Sequence, residues 1–257
     1  MEYFIIPTIA LIASALTFFS GFGLGTILLP AFGLFFPIEI AIALTAIVHF
    51  LNNIFKLGLV FKNIDKKVVL GFGVPALLFS FLGAKTLQLL DFPYNFIKYQ
   101  ISENVFETNI VKITIAVVLP FFAFFELIPK LKNLQFNKKY LVLGGMLSGF
   151  FGGLSGHQGA LRSAFLTKVG LSKEAFIATG VSIACLIDIS RLSVYSNQIT
   201  QYQNQIDINL ILVATISAFI GVYFGTKLVK KITISTIQNI VAVMLILFAV
   251  LLGMGIV

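Results

Sequence analysis

The sequence predicts an all-α polytopic membrane protein, and three observations carry that prediction. Hydrophobic residues make up 58% of the 257 residues and charged residues only 11%, with a mean hydropathy of +1.02. A soluble domain carries roughly 25% charged residues, so there is too little polar surface here to cover a water-soluble globule. The apolar residues are gathered into long continuous runs, whereas an outer-membrane barrel needs short strands of alternating polarity. Most of the 18 basic residues sit in short clusters between those runs, as the positive-inside bias of membrane proteins requires. The net charge of +8 is therefore no sign of a nucleic-acid partner; the partner is the lipid bilayer.

In chain order the apolar runs fall at residues 4–36, 38–61, 67–90, 109–129, 140–167, 174–195, 208–229 and 233–256. A helix that crosses a hydrocarbon core of about 30 Å needs roughly 20 residues. Six runs are single spans on that measure. The first and fifth are longer, and glycines interrupt them: Gly21-Phe-Gly-Leu-Gly25 in one, and Gly144-Gly145 followed by Gly149-Phe-Phe-Gly-Gly-Leu-Ser-Gly-His-Gln-Gly159 in the other. No basic stretch precedes the first run, so a cleaved signal peptide is not expected. Cys185 is the single cysteine and lies in an apolar run, so the sequence gives no reason to expect a disulfide, a metal or a cofactor.

The two halves, 1–129 and 130–257, echo each other. Gly25, Ala41 and Thr45 align with Gly159, Ala175 and Thr179 at a constant offset. Further on, Ile64-Asp65 aligns with Ile206-Asp207 and Gly83-Ala-Lys85 with Gly225-Thr-Lys227. Transporters are often built from such repeats, with the site at their interface. Loop charge bears on orientation. If all eight runs cross once, fourteen loop lysines divide seven against seven; if the two glycine-broken runs fold as hairpins, twelve lie on one side and only Lys98 and Lys112 on the other. The hairpin arrangement gives the stronger bias. It makes the repeats inverted, puts both termini outside, and turns the 196–207 loop and the acidic loop at Asp91, Glu103 and Glu107 outward. Eight simple spanning helices are the alternative.

A helix broken inside a membrane exposes backbone N–H and C=O groups, which is tolerated only where protein or an aqueous cavity covers them. The N-terminus of a half-helix presents N–H groups and a positive dipole end, which suit an anion. Gly23, Gly25 and Thr26 in the first half, and Ser155, Gly156, His157, Gln158 and Gly159 in the second, are accordingly the candidate substrate-binding residues. The competing reading is that these glycines only allow close helix packing.

The pattern Ser-Gly-Phe-Gly-Leu-Gly-Thr-Ile-Leu-Leu-Pro at 20–30, followed by Pro37–Thr45, resembles the TauE/SafE family of membrane transporters. So does its echo Gly-Met-Leu-Ser-Gly-Phe-Phe-Gly-Gly-Leu-Ser-Gly-His-Gln-Gly-Ala-Leu at 145–161, with Leu171–Gly180 after it. The resemblance covers nearly the whole chain. It implies proton-coupled export or uptake of sulfite, sulfonates or related sulfur-containing organic anions across a bacterial cytoplasmic membrane. Within the second motif, His157, Gln158 and Arg162 stand where the family usually has a run of glycines closing on a proline.

Ionisable residues within the runs are expensive in lipid, at about 2.5–3.5 kcal/mol for a central charge, and so point to function. Arg162, one turn past the second break, can clamp a sulfonate or carboxylate through two parallel hydrogen bonds; a structural ion pair with Asp188 is the other reading. His157 at the break can bind the anion or carry a proton, or can cap carbonyls of the broken helix. His49, Asn52, Asn53 and Lys56 fall at i, i+3, i+4 and i+7, one helical face. That stripe can line the permeation path or hydrogen-bond between helices, with Lys56 expected to snorkel to the interface. Asp188 and Arg191, at i and i+3, can pair within their helix or join a proton path.

Two other functions compete. Gly153-Leu-Ser155-Gly156 matches the Gly-x-Ser-Gly pattern of rhomboid proteases, but a serine nucleophile needs a base within hydrogen-bond reach. His157 is two residues away and His49 is in the other half, so an enzyme is not expected. A passive anion channel differs from a carrier in lacking alternate gates and coupling. A homo-oligomer stays open.

Overall fold

The computed structural model describes residues 1–17, 23–91, 97–203, 206–228 and 234–257. The first long apolar run divides into α1 (Glu2–Thr17) and α2 (Leu24–Gly33). α3 (Ile38–Val60) follows. Next, α4 (Lys66–Val68), a π-helical turn at Val69–Gly73 and α5 (Val74–Leu90) run on as one helix. Pro75 follows that turn; a proline lacks an N–H and crowds the preceding turn, which the wider π geometry absorbs. α6 (Ile110–Leu127) closes the first half, and the short α7 (Pro129–Lys132) leads into the second.

The second half follows. α8 (Leu141–Ser155) and α9 (Gly159–Leu166) fill the other long run. α10 (Lys173–Gln201), α11 (Ile208–Leu228) and α12 (Ile234–Gly253) complete the chain. Among the described residues, five helices are long and apolar enough to cross a membrane: those at 38–63, 66–90, 110–127, 173–196 and 208–225. α12, at 20 residues, has the same reach. The outer faces of α5, α6 and α11 present Leu78, Phe81, Val117, Phe124, Leu212 and Ile216, all exposed. Lipid is the solvent that such faces need. The chain is thus an all-α multi-pass membrane protein.

The helix contacts come in pairs. α1 packs on α11 and α8 on α5, while α3 packs on α10 and α6 on α12; exchanging the two halves maps this set onto itself. Gly83 of α5 lies against the Phe150 carbonyl of α8, where a Cβ would come within 2.0 Å of the oxygen. Gly225 of α11 lies in the same way against Ala15 of α1, at 2.6 Å. Asp65 and Asp207, also matched in the sequence, each accept backbone N–H groups at a helix start, from Val68 at 3.0 Å and from Asn209 at 2.9 Å. α3 and α10 lie innermost: 67% of their apolar windows is buried, against 39% for the other spanning helices.

Three expectations need correction. Gly144, Gly145, Gly149 and Gly153 do not interrupt α8, which is continuous to Ser155. Cβ atoms at 145, 149 and 153 would meet the carbonyl oxygens of Phe72, Ala76 and Ser80 at 2.3, 2.2 and 2.0 Å. These three glycines serve close packing, as small residues do between membrane helices. Second, the first six residues of the 196–207 loop are helix, because α10 continues to Gln201 and at about 1.5 Å per residue outruns the hydrocarbon core. Third, the acidic loop contains an antiparallel hairpin, β1 (Ile97–Ile101) with β2 (Asn104–Thr108). A Tyr99–Phe106 ring stack and a Lys98–Glu107 ion pair hold its two faces.

Candidate functional site

The second break is short and sharp. α8 ends on Gly156, whose φ of 81° is left-handed and suits glycine. A Cβ there would also stand 2.8 Å from Arg191 Nη1. The chain then reverses. A Cβ on Gly144 of α8 would strike the Phe165 ring of α9, and Ser148 Oγ donates to the Gln158 carbonyl at 3.0 Å. α8 and α9 therefore form an antiparallel hairpin. In the first half Gly23 caps α2, and Gly25 and Thr26 lie buried in its first turn. Gly21 of the motif falls outside the described residues.

Two cavities join the breaks. One, of about 30 Å³, is lined by Thr17, Gly23, His49, Asn53, Lys56 and Arg162. The other, of about 10 Å³, is lined by Thr26, Phe122, Glu126, His157, Gly159 and Leu245. Each takes residues from both halves, so the first turns of α2 and α9 face a shared space. A water needs roughly 10–15 Å³, so these are spaces of about the size of one or two waters.

The side chains at the second break are deeply buried. Gln158 is 0% exposed and His157 2%. Gln158 Oε1 accepts from Arg162 Nη1 at 3.0 Å, which leaves its amide Nε2 with no hydrogen-bond partner among the described residues. His157 stacks on Phe122 with ring centroids 5.6 Å apart. Its Nδ1 lies 3.0 Å from the Ser155 carbonyl oxygen and 3.2 Å from Ser155 Oγ. A carbonyl only accepts, so Nδ1 carries a proton in that contact and is no base for Ser155. Ser155 Oγ meanwhile donates to the Phe151 carbonyl at 3.1 Å. The Gly-x-Ser-Gly sequence thus lacks the arrangement of a serine nucleophile. His157 Nε2 has no partner among the described residues.

Beside the breaks lies a polar cluster between α3 and α10. Asp188 takes His49 Nδ1 at 2.7 Å and Asn53 Nδ2 at 3.1 Å on one oxygen, and Arg191 Nε at 3.0 Å on the other. Arg191 Nη2 is 2.8 Å from that second oxygen. With Nδ1 on the carboxylate, the Nε2 edge of the His49 ring faces Gly23, where a Cβ would be 3.2 Å away. Asn52 turns to α1 and accepts from Ser14 Oγ at 3.2 Å. The same cluster engages the oxygens of Asp188 and leaves Arg162, braced by Gln158, along the wall of the larger cavity. Gly180 gives it room: a Cβ there would sit 3.4 Å from Arg162 Nε.

The sequence places Lys56 at the interface, but it is 4% exposed and lines the larger cavity beside Arg162. α10 covers that face of α3, and a lysine there reaches no headgroup. Glu126 carries no signal in the sequence because it stands alone at the end of an apolar run; it is 5% exposed. Lys85 is exposed and donates to Gln88; the Lys227 side chain lies outside the described residues. Among the described residues no group of three or more His, Cys, Asp or Glu is placed to hold a metal.

A family model described as "Sulfite exporter TauE/SafE" matches residues 6–252. No curated protein matches the chain. A match over nearly the whole length, on a multi-pass helical architecture, places this chain in the TauE/SafE sulfite exporter family.

Proposed function

We propose that this protein is a proton-coupled secondary transporter of sulfite, a sulfonate or a related sulfur-containing anion. The anion sits where the first turns of α2 and α9 face each other, in the bacterial cytoplasmic membrane. One observation carries the reading: Gly23 and Thr26 of one break share cavities with Arg162, His157 and Gly159 of the other. Two helix N-termini then supply N–H groups and positive dipole ends to one guest. Arg162 adds a planar fork that matches two oxygens of a sulfite or sulfonate, and the Gln158 amide adds a neutral donor. Gly156 keeps the turn tight against Arg191.

The paired contacts support two repeats, 1–129 and 130–257, exchanged about the α3–α10 and α6–α12 contacts, and the loop lysines favour their inverted arrangement with both termini outside. Cavities of only about 30 and 10 Å³ favour a carrier with gates over a passive channel, which needs a continuous water column. His49, Asn53, Asp188 and Arg191 hold α3 against α10, Asn52 ties α3 to α1, and all five border the path that the anion takes.

The test is binding and liposome flux with sulfite, sulfonates, thiosulfate and carboxylates, on wild type and Arg162→Ala. A hydrogen bond to a charged group contributes about 1.5–3 kcal/mol, so loss of the fork weakens binding of the true substrate roughly tenfold or more. If Arg162→Ala binds every tested anion as wild type does, the site assignment is wrong. Uphill accumulation separates carrier from channel.

A further inference from the structure

A third cavity, of about 110 Å³, also has Glu126 in its wall. Its polar lining comes from Glu126, Asn133, Gln135, Ser163, Thr167 and Gln238. Asn133 and Gln135 are exposed, so its mouth opens at the α7–α8 connection. Gln238 is 8% exposed, and its Oε1 has no hydrogen-bond partner among the described residues. A polar space of this volume with buried acceptors holds water. Glu126 lines this vestibule and also the small cavity that holds His157, Thr26 and Gly159. Glu126 and Ala160 thus line both the vestibule and the place where the two half-helices meet.

We propose that Glu126 is the proton-binding site of this carrier, reached from that vestibule and coupled to the anion because both face one cavity. The proposal rests on the anion site described above. A carboxylate in the wall of an anion site repels the guest, and a protonated carboxyl does not. Hydronium in the vestibule gives its proton to a Glu126 carboxylate oxygen, forming one O–H bond and leaving water. The neutral carboxyl then admits the anion, and both are released on the opposite side, which restores the carboxylate. One proton travels with each anion.

Among the described residues lining the two cavities, His157 from the α8–α9 turn is the only other titratable group. α7, α9 and α12 contribute neutral side chains, and α3 and α5 contribute none to these walls. Lys130, beside α6, is exposed and lies outside the lining.

The experiment uses full-length protein in liposomes with radiolabelled sulfite. Two readouts are taken: sulfite–sulfite counterflow without a pH gradient, and accumulation driven by an imposed pH gradient. The amide introduced by Glu126→Gln is permanently neutral, so counterflow in the variant loses the fall with rising pH that wild type shows, while gradient-driven accumulation drops roughly tenfold, the size of a typical coupling between sites. Accumulation at the wild-type level in Glu126→Gln overturns the proposal. Loss of both activities also overturns it, since Glu126 is then part of the anion site or of the fold. A wild type that shows neither activity, with sulfite or any anion of the binding screen, overturns the anion site itself and this proposal with it.

Discussion

Replacing Asp188 with Asn tests whether the cluster between α3 and α10 is held by charge. Asp188 and Arg191 are both 0% exposed, with Arg191 Nη2 at 2.8 Å from Asp188 Oδ1. With charge centres about 4 Å apart, two unit charges attract by about 4 kcal/mol at an effective dielectric constant of roughly 20. Asp188→Asn removes that attraction and leaves a buried guanidinium uncompensated, a loss of about 3–5 kcal/mol by the usual penalty for breaking a buried pair. The hydrogen bonds from His49 at 2.7 Å and Asn53 at 3.1 Å weaken as well. On the soluble-protein scale of about 2–4 °C per kcal/mol, the midpoint of thermal unfolding in detergent falls by roughly 6–20 °C. The decisive comparison is Asp188→Asn with Arg191→Met, which takes out both charges. Replacing a whole buried pair by apolar groups is often neutral, so the double variant unfolds at a higher temperature than Asp188→Asn alone. A double variant no more stable than the single one refutes the charge argument and leaves shape as the reason for these residues.

Gly153→Ala places a Cβ 2.0 Å from the Ser80 carbonyl oxygen; α5 and α8 must part, and overpacking of this kind costs about 1–3 kcal/mol. Gly58→Ala, with nothing within 4 Å of its Cβ, is the control and stabilises by about 0.4–1 kcal/mol; the two are compared in one detergent unfolding series. At the surface, the Tyr3 hydroxyl donates to Asp207, which holds that carboxyl below its ordinary range with help from the Asn209 and Leu210 N–H groups. A lowered carboxylate contributes stability above its ordinary titration range and loses it as pH falls through the lowered value. Tyr3→Phe therefore raises the Asp207 titration midpoint, read by NMR of the labelled carboxyl, and its small destabilisation disappears in strong acid.

Much of the fold is legible in the sequence because lipid imposes simple rules. Apolar runs of about 20 residues predict the spanning helices, and their bounds agree with the structure to within a few residues outside α10. The two long runs predict broken helices, and both are broken. The hairpin at 97–108 escapes such a reading because Phe-Ile-Lys-Tyr-Gln-Ile and Asn-Val-Phe-Glu-Thr alternate over only a few residues beside two apolar runs. The glycines of α8 mislead because a glycine in sequence says nothing of what lies opposite it. Phe72, Ala76 and Ser80, which explain Gly145, Gly149 and Gly153, are some 70 residues away in the chain.

The candidate site divides in the same way. Local spacing puts His49, Asn52, Asn53 and Lys56 on one face and pairs Asp188 with Arg191, since helical periodicity is a property of adjacent turns. Which partner Asp188 takes from the other half, how Lys56 and Glu126 come to be buried, and whether Arg162 lines a cavity are matters of which helices cover which. The sequence by itself determined a multi-pass helical membrane protein with two broken segments, because hydrophobicity and the missing helix residues are written locally. Only the tertiary structure decided that residues of the two breaks line common cavities, and that Glu126 lines one of these as well as the cavity under the α7–α8 connection. The two breaks join residues more than a hundred positions apart, as Gly23 with Arg162 and Thr26 with His157, and only the packing of complete helices brings them within reach.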